Sequence, residues 1–276
     1  MQNIKFIKMH GLGNDFVVID KRSNKIKITE KIIKKLSDRR SGAGCDQLIT
    51  INSAPNDIDA AIEIFNPSGD RAEACGNGTR CVAKLLFDEK NNKDSLNILS
   101  DSGILKAKKK DNINISVNMG RISNNWKSIP LNQEMDTLNI PIIIQGFSKG
   151  VGVSVGNPHI VFFGDSINNI DIKEFGPKIE NHEFFPNKTN VEFVEIINSQ
   201  KIKMKVWERG VGVTLACGSG ACASVYAGLK KKLLDKAVEV QVEKGSLFIE
   251  ILDEEAIMTG PAEISYFGNI AINEKK

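Results

Sequence analysis

CGNGTRC, residues 75–81, and CGSGACA, residues 217–223, are two versions of one phrase set 142 positions apart. Working outward from them, the offset persists. Asn66 stands nine residues before Cys75, and Glu208 stands nine before Cys217, so FNPSGD answers to WERGVG. Further upstream NDFVVID, from Asn14, answers to NPHIVFF, from Asn157, and Gln47 in DQLITI answers to Asn190 in NVEFVEI, each at an offset of 143. Downstream, Gly103 in SDSGIL matches Gly245 in VEKGSL at 142. Glycine-rich turns recur by chance, but a drift of one residue across landmarks this far apart indicates a duplicated domain.

Local patterns repeat with the landmarks. IEIFN, VEFVEI, KIKMKVW, VEVQVEK and LFIEIL alternate apolar with polar residues, the period of half-buried antiparallel strands. Each cysteine phrase leads into one apolar helical stretch, VAKLLFDEK in the first half and SVYAGLKKKLL in the second. TEKIIKKLSDRR, with Thr29 as N-cap and basic residues gathering at its end, predicts a peripheral amphipathic helix, and DIKEFGPKIEN a counterpart. The expected class is α+β: two pseudo-symmetric domains, each an antiparallel sheet around a central helix. Residues 1–120 form the Cys75 half, joined by a C-terminal strand over 263–276, and residues 121–262 form the Cys217 half. The halves are expected to meet in the polar stretch 119–137, which Pro130 interrupts.

With 276 residues, 41% of them hydrophobic, the chain can bury two cores. Its 37 basic and 34 acidic residues leave a net charge of +3, too weak a field to indicate nucleic acid or a membrane surface. A small-molecule ligand is expected instead. The start, MQNIKFIKMHGLGNDF, lacks the apolar core of a signal peptide, and no apolar run has the length of a membrane span. Five cysteines, an odd number, suit reduced thiols in a cytoplasm better than a disulfide framework.

Cys75 and Cys217 each precede Gly-x-Gly and a helix, where unpaired backbone N–H groups and the positive end of the helix dipole gather. A thiol so placed is expected to have its thiolate stabilised and to exchange protons near neutral pH. Cys45, Cys81 and Cys222 lack that glycine context and are expected to be inert buried residues. If the halves pack about a pseudo-twofold axis, the two thiols face one ligand from opposite sides: one removes a proton from a stereocentre and the other returns one to the opposite face. Helix-terminal amides would hold the carboxylate onto which charge moves, so neither a Schiff base nor a metal is required.

HGLGNDF (10–16), GAGCDQ (42–47), EACGNGTRC (73–81), GNPH (156–159), NVEFV (190–194) and WERGVGVTLACGSGACA (207–223) resemble, in order and across nearly the whole chain, the motifs of the diaminopimelate epimerases. The last string is highly specific. The resemblance implies interconversion of LL- and meso-diaminopimelate on the route to lysine and peptidoglycan, without pyridoxal phosphate or another cofactor, and a homodimer. It implies that Cys75 and Cys217 are the acid–base pair, with His159 and Glu208 attending their proton traffic. It assigns Asn14, Gln47, Asn66, Asn157, Asn190, Glu208 and Arg209 to substrate polar groups, and Gly76, Asn77, Gly218 and Ser219 to the carboxylate. After Asn66 the family pattern of Asp, Gly, Ser is replaced by Pro67, Ser68, Gly69 and Asp70, a variation in the turn.

By residue type alone, Asn14, Asn66 and Asn157 also suit turns, His159 a satisfied core histidine, and Glu208 with Arg209 an exposed ion pair. Other readings are weaker. Gly218-Ser-Gly220-Ala-Cys-Ala223 fits a dinucleotide fingerprint with Glu239 about 20 residues on, but VEVQV is an alternating, half-exposed strand, unlike the buried parallel strand that such a site needs. Cys217 with Cys222, and Cys75 with Cys81, are loosely spaced for structural zinc. A binding protein without activity would have no need of a cysteine at both equivalent places, and Arg209 within WERGVG favours diaminopimelate over the proline of related racemases.

Overall fold

The computed structural model describes residues 2–23, 26–55, 57–72, 75–90 and 92–272; Glu73 and Ala74 of the first cysteine motif, and 273–276 of the expected C-terminal strand, lie outside the described residues. The chain divides into two compact units, Met1–Val117 with Gly260–Lys276, and Asn118–Thr259. In chain order the first unit contains β1 (Gln2–Gly11), β2 (Asn14–Asp20), α1 (Glu30–Ser37), β3 (Gln47–Asn52), β4 (Ala60–Phe65), α2 (Gly76–Glu89), β5 (Ser95–Ser100), β6 (Gly103–Lys109) and β7 (Asn114–Arg121), whose end passes into the second unit. There follow β8 (Val151–Ser154), β9 (Pro158–Gly164), α3 (Ile172–Glu180), β10 (Asn190–Asn198), β11 (Lys201–Glu208), β12 (Gly212–Thr214), α4 (Gly218–Lys230), β13 (Ala237–Val242), β14 (Gly245–Leu252) and β15 (Glu255–Pro261). β16 (Glu263–Ile272) returns to pair with β1.

Strand order in the first unit is β16-β1-β2-β3-β4-β5-β6-β7, and in the second β8-β9-β10-β11-β13-β14-β15, with β12 beside β11. The duplication is visible residue by residue. Phe16 pairs with Gln47 as His159 pairs with Asn190, and Leu48 pairs with Phe65 as Val191 pairs with Trp207. The α+β class and the repeat hold, but pairing is not antiparallel throughout. β2–β3, β4–β5, β9–β10 and β11–β13 are parallel. Each parallel pair is joined by a crossover that contains a helix, α1, α2, α3 or α4 in turn, as parallel neighbours require. Alternation in the sequence reports which face is buried and says nothing about the direction of the neighbouring strand.

Helices cover both faces of each sheet. In the first unit Val17, Ile19 and Leu48 pack with Ile32, Ile33 and Leu36 of α1, while Phe16 and Ile49, on the opposite face, lie under the start of α2. FVVI in β2 and IVFF in β9 are therefore continuous apolar runs and not alternating ones. α1 is capped by Thr29, whose hydroxyl accepts from the Ile32 N–H at 3.4 Å, and α3 by Asp171, which accepts from Lys173 and Glu174. A cap of this kind contributes about 1 kcal/mol. The polar stretch 119–137, expected where the halves meet, lies in the second unit, and its Ile129 and Leu131 are buried in that unit's core.

Candidate active site

Both cysteines are helix N-caps with extended backbone. In the first unit the Gly78 N–H, in the opening turn of α2, points at Cys75 Sγ at 3.4 Å, and the side-chain oxygen of Asn14 lies 3.8 Å from the same sulfur. Asn77 donates to that oxygen at 3.1 Å, and the Asn14 amide nitrogen donates to Asp46 Oδ2 at 2.9 Å. Asn14 is thus held from two sides at the end of β2. Gln47 donates to Asn66 at 3.3 Å, and Asn66 in turn donates to Asp70 at 2.7 Å, closing the turn 66–70 in which the acid is displaced. The glycines permit close approach: a Cβ on Gly78 would lie 2.6 Å from Ile49 Cδ1.

The second unit repeats the cap with different surroundings. The Gly220 N–H points at Cys217 Sγ at 3.4 Å, and the Ser219 hydroxyl lies 3.5 Å from it. Cys217 is only 6% exposed. Its thiol is pushed well above the ordinary cysteine range, first by burial and then by the carboxylates of Glu208 and Glu192; the Ser219 hydroxyl and Gly220 N–H pull the other way and are outweighed. This corrects the expectation of a stabilised thiolate at Cys217. The helix terminus is present, but desolvation and two negative charges exceed it. Cys45 and Cys81 are likewise raised by burial, Cys81 to about 12, in keeping with inert core residues. Cys222 is also buried.

His159, on β9, is fully buried between Glu192 Oε1, 2.7 Å from Nδ1, and Asn157 Oδ1, 2.9 Å from Nε2. Asn190 donates to the Pro158 carbonyl at 2.8 Å and accepts the Arg209 N–H at 2.9 Å. Glu208 accepts from the Thr214 hydroxyl, and among the described residues the Arg209 guanidinium reaches only the Asn187 carbonyl, at 3.4 Å. Within the first unit, then, Asn14, Cys75 and Asn77 come together, as do Gln47 and Asn66. Within the second, Asn157 joins His159, Asn190 joins Arg209, and Ser219 joins Cys217. Gly76 and Gly218 open the two helices beside their cysteines.

Three supporting carboxylates escaped the sequence reading. Asp46 holds Asn14, and Glu192 holds His159. Glu180, at the end of α3, accepts from the Trp207 indole at 2.7 Å and the Gly210 N–H at 2.9 Å, bracketing Glu208 and Arg209. The available signal was in the repeat: Glu192 falls where the first half has Ile49, a charge at a core position. Glu239, the acid of the dinucleotide alternative, is tied to Ser246 and Lys201 in its half-exposed strand. Among the described residues no helix is long and apolar enough to cross a membrane.

The sequence profile described as diaminopimelate epimerase matches residues 6–124 and 151–265. Curated relatives of that name from Pelagibacter ubique (strain HTCC1062) and Carboxydothermus hydrogenoformans are 46% and 44% identical, over 98% and 96% of this chain and 99% and 98% of their own lengths. Among solved structures, a PhzF-family phenazine biosynthesis protein from Enterococcus faecalis aligns over 98% of this chain and 100% of its own with a TM-score of 0.69 at 15% identity. A hydroxyproline epimerase from Agrobacterium vitis aligns over 98% and 91% with a TM-score of 0.68 at 12% identity. These two share the fold. With matched motifs in both repeats and relatives of this identity along its length, the chain belongs to the diaminopimelate epimerase family.

Proposed function

We propose that the chain epimerises LL-diaminopimelate to meso-diaminopimelate with Cys75 and Cys217 as its acid–base pair, in the supply of lysine and peptidoglycan precursor. The observation that carries this reading is the repeated cap: in each unit a cysteine sulfur accepts from the third residue of a helix that begins with glycine. One thiolate takes the proton from the α-carbon, and the bonding pair moves toward the α-carboxylate. The other thiol then gives its proton to the opposite face, and the two sulfurs have exchanged protonation states. Amides of Gly76, Asn77, Gly218 and Ser219 stabilise the charge that builds on the carboxylate, so the chemistry calls for no Schiff base. His159 and Glu208 attend the thiols. Asn14, Gln47, Asn66, Asn157, Asn190 and Glu208 receive the ammonium groups and remaining polar atoms, and the planar fork of Arg209 receives the distal carboxylate.

The same reading puts the enzyme in the cytoplasm, which the odd count of five cysteines favours, and takes it as a homodimer, to be checked by sedimentation. The activity test is deuterium uptake from D2O into LL-diaminopimelate with no cofactor added. The parent should exchange and epimerise, whereas Cys75→Ala and Cys217→Ala should keep their circular dichroism and lose epimerisation by at least about 100-fold. Near-parental turnover by either variant would defeat the two-thiol mechanism.

A further inference from the structure

The two helix starts share a backbone but not a floor. A Cβ on Gly78 would meet hydrocarbon first, Ile49 at 2.6 Å and Phe16 at 3.3 Å, and then the Cys75 sulfur at 3.6 Å; a Cβ on Gly220 would meet Glu192 Oε1 at 2.7 Å. These are equivalent places in the repeat. Phe16 sits opposite Gln47 as His159 sits opposite Asn190, and Ile49 sits opposite Val18 as Glu192 sits opposite Val161. An apolar pair in one unit is thus a buried His–Glu pair in the other. The frame closes over hydrocarbon in the first unit, so the fold as such does not call for charge at this position, and burying it opposes stability. Glu192 Oε1 takes the bond from His159, and Oε2 has no hydrogen-bond partner among the described residues.

We propose that Glu192 is a positioning residue for the epimerisation: it fixes the His159 ring with Nδ1 as donor and Nε2 turned to Asn157, and it sets a carboxylate under the first turn of α4, which Cys217 caps, where the Cys75 half has Ile49. The proposal rests on the two-thiol reading above. The ionisable groups that act on Cys217 are Glu192 from β10 and Glu208 from β11, with His159 from β9 bound to Glu192; the Ser219 hydroxyl and Gly220 N–H of α4 oppose them. A carboxylate beside a thiol disfavours the thiolate, so Cys217 keeps its proton to higher pH than it would without Glu192. Duplication alone would have produced two equal sulfurs. An acid and a base of the same residue type need unequal surroundings to be ready in opposite protonation states at one pH.

Glu192→Gln keeps the volume and the acceptor for His159 Nδ1 and removes only the charge. In the full chain with LL-diaminopimelate, the high-pH limb of kcat/KM should move down by about one unit, and kcat at the parental optimum should fall about tenfold. A merely structural glutamate predicts a profile superimposable on the parent, which would overturn the proposal. An inactive parent would sink the two-thiol reading instead, so the two failures are distinct. If Glu192→Gln does not fold or turn over, the parent decides: iodoacetamide labelling followed by peptide mapping across pH should place the Cys217 midpoint above that of an ordinary free cysteine. An ordinary or lowered Cys217 midpoint would overturn the proposal.

Discussion

Arg209 shows what a side chain can do when its backbone is held and its head is not. The Asn190 side chain fixes its N–H, while among the described residues the guanidinium makes one long contact, to a carbonyl, which leaves donors for a ligand. If the distal carboxylate binds there bidentately, Arg209→Lys keeps the charge and loses the fork. The expected loss in kcat/KM for diaminopimelate is about 30-fold, or about 2 kcal/mol. A monocarboxylic analogue should be a poor substrate for both proteins and little affected by the change. Equal losses for both substrates would assign Arg209 to the fold.

At the scale of elements, β11 and the turn after it carry Glu208 and Arg209, and the grip on that turn comes from α3. Glu180 accepts two N–H groups and lies 3.6 Å from the Lys188 ammonium. Burial would raise its carboxyl, but the Trp207 indole, the Gly210 N–H and Lys188 lower it below the usual range, so it is an anion at neutral pH. Glu180→Gln offers one acceptor to two donors, which frees one end of the turn. The KM for diaminopimelate should rise about tenfold with kcat changed much less, since the thiols are untouched. A fall in kcat at constant KM would show that α3 acts on the chemistry and not on the turn.

For the molecule, stability at low pH depends on a charged knot in the first unit. Asp15 is partly buried, which raises its carboxyl, but hydrogen bonds from Arg39 and Lys8 prevail and hold it at about 2. Its folded value lies below the unfolded one near ~3.9. The stabilisation is therefore complete above about pH 4 and is lost as pH falls toward 2. Urea unfolding of Asp15→Asn should show lower stability than the parent at pH 7, with the gap closing through that window. A gap that persists unchanged at pH 2 would mean that the side chain acts by shape and not by charge.

Sequence alone determined the duplication, the α+β class, the family resemblance and the two cap cysteines, because offset, period and glycine spacing are properties of the linear chain. EACGNGTRC and WERGVGVTLACGSGACA are legible without coordinates. Tertiary structure decided the parallel pairs, since a strand's own residues do not encode its neighbour's direction. It also decided what surrounds each sulfur. The bonds from Asp46 to Asn14 and from Glu192 to His159 join residues 32 and 33 positions apart, and only the packing of β2 on β3 and β9 on β10 brings them together. The thiol at Cys217 follows the same rule: a helix terminus readable in CGSG favours the thiolate, while the burial and carboxylates that overrule it come from strands folded against the helix.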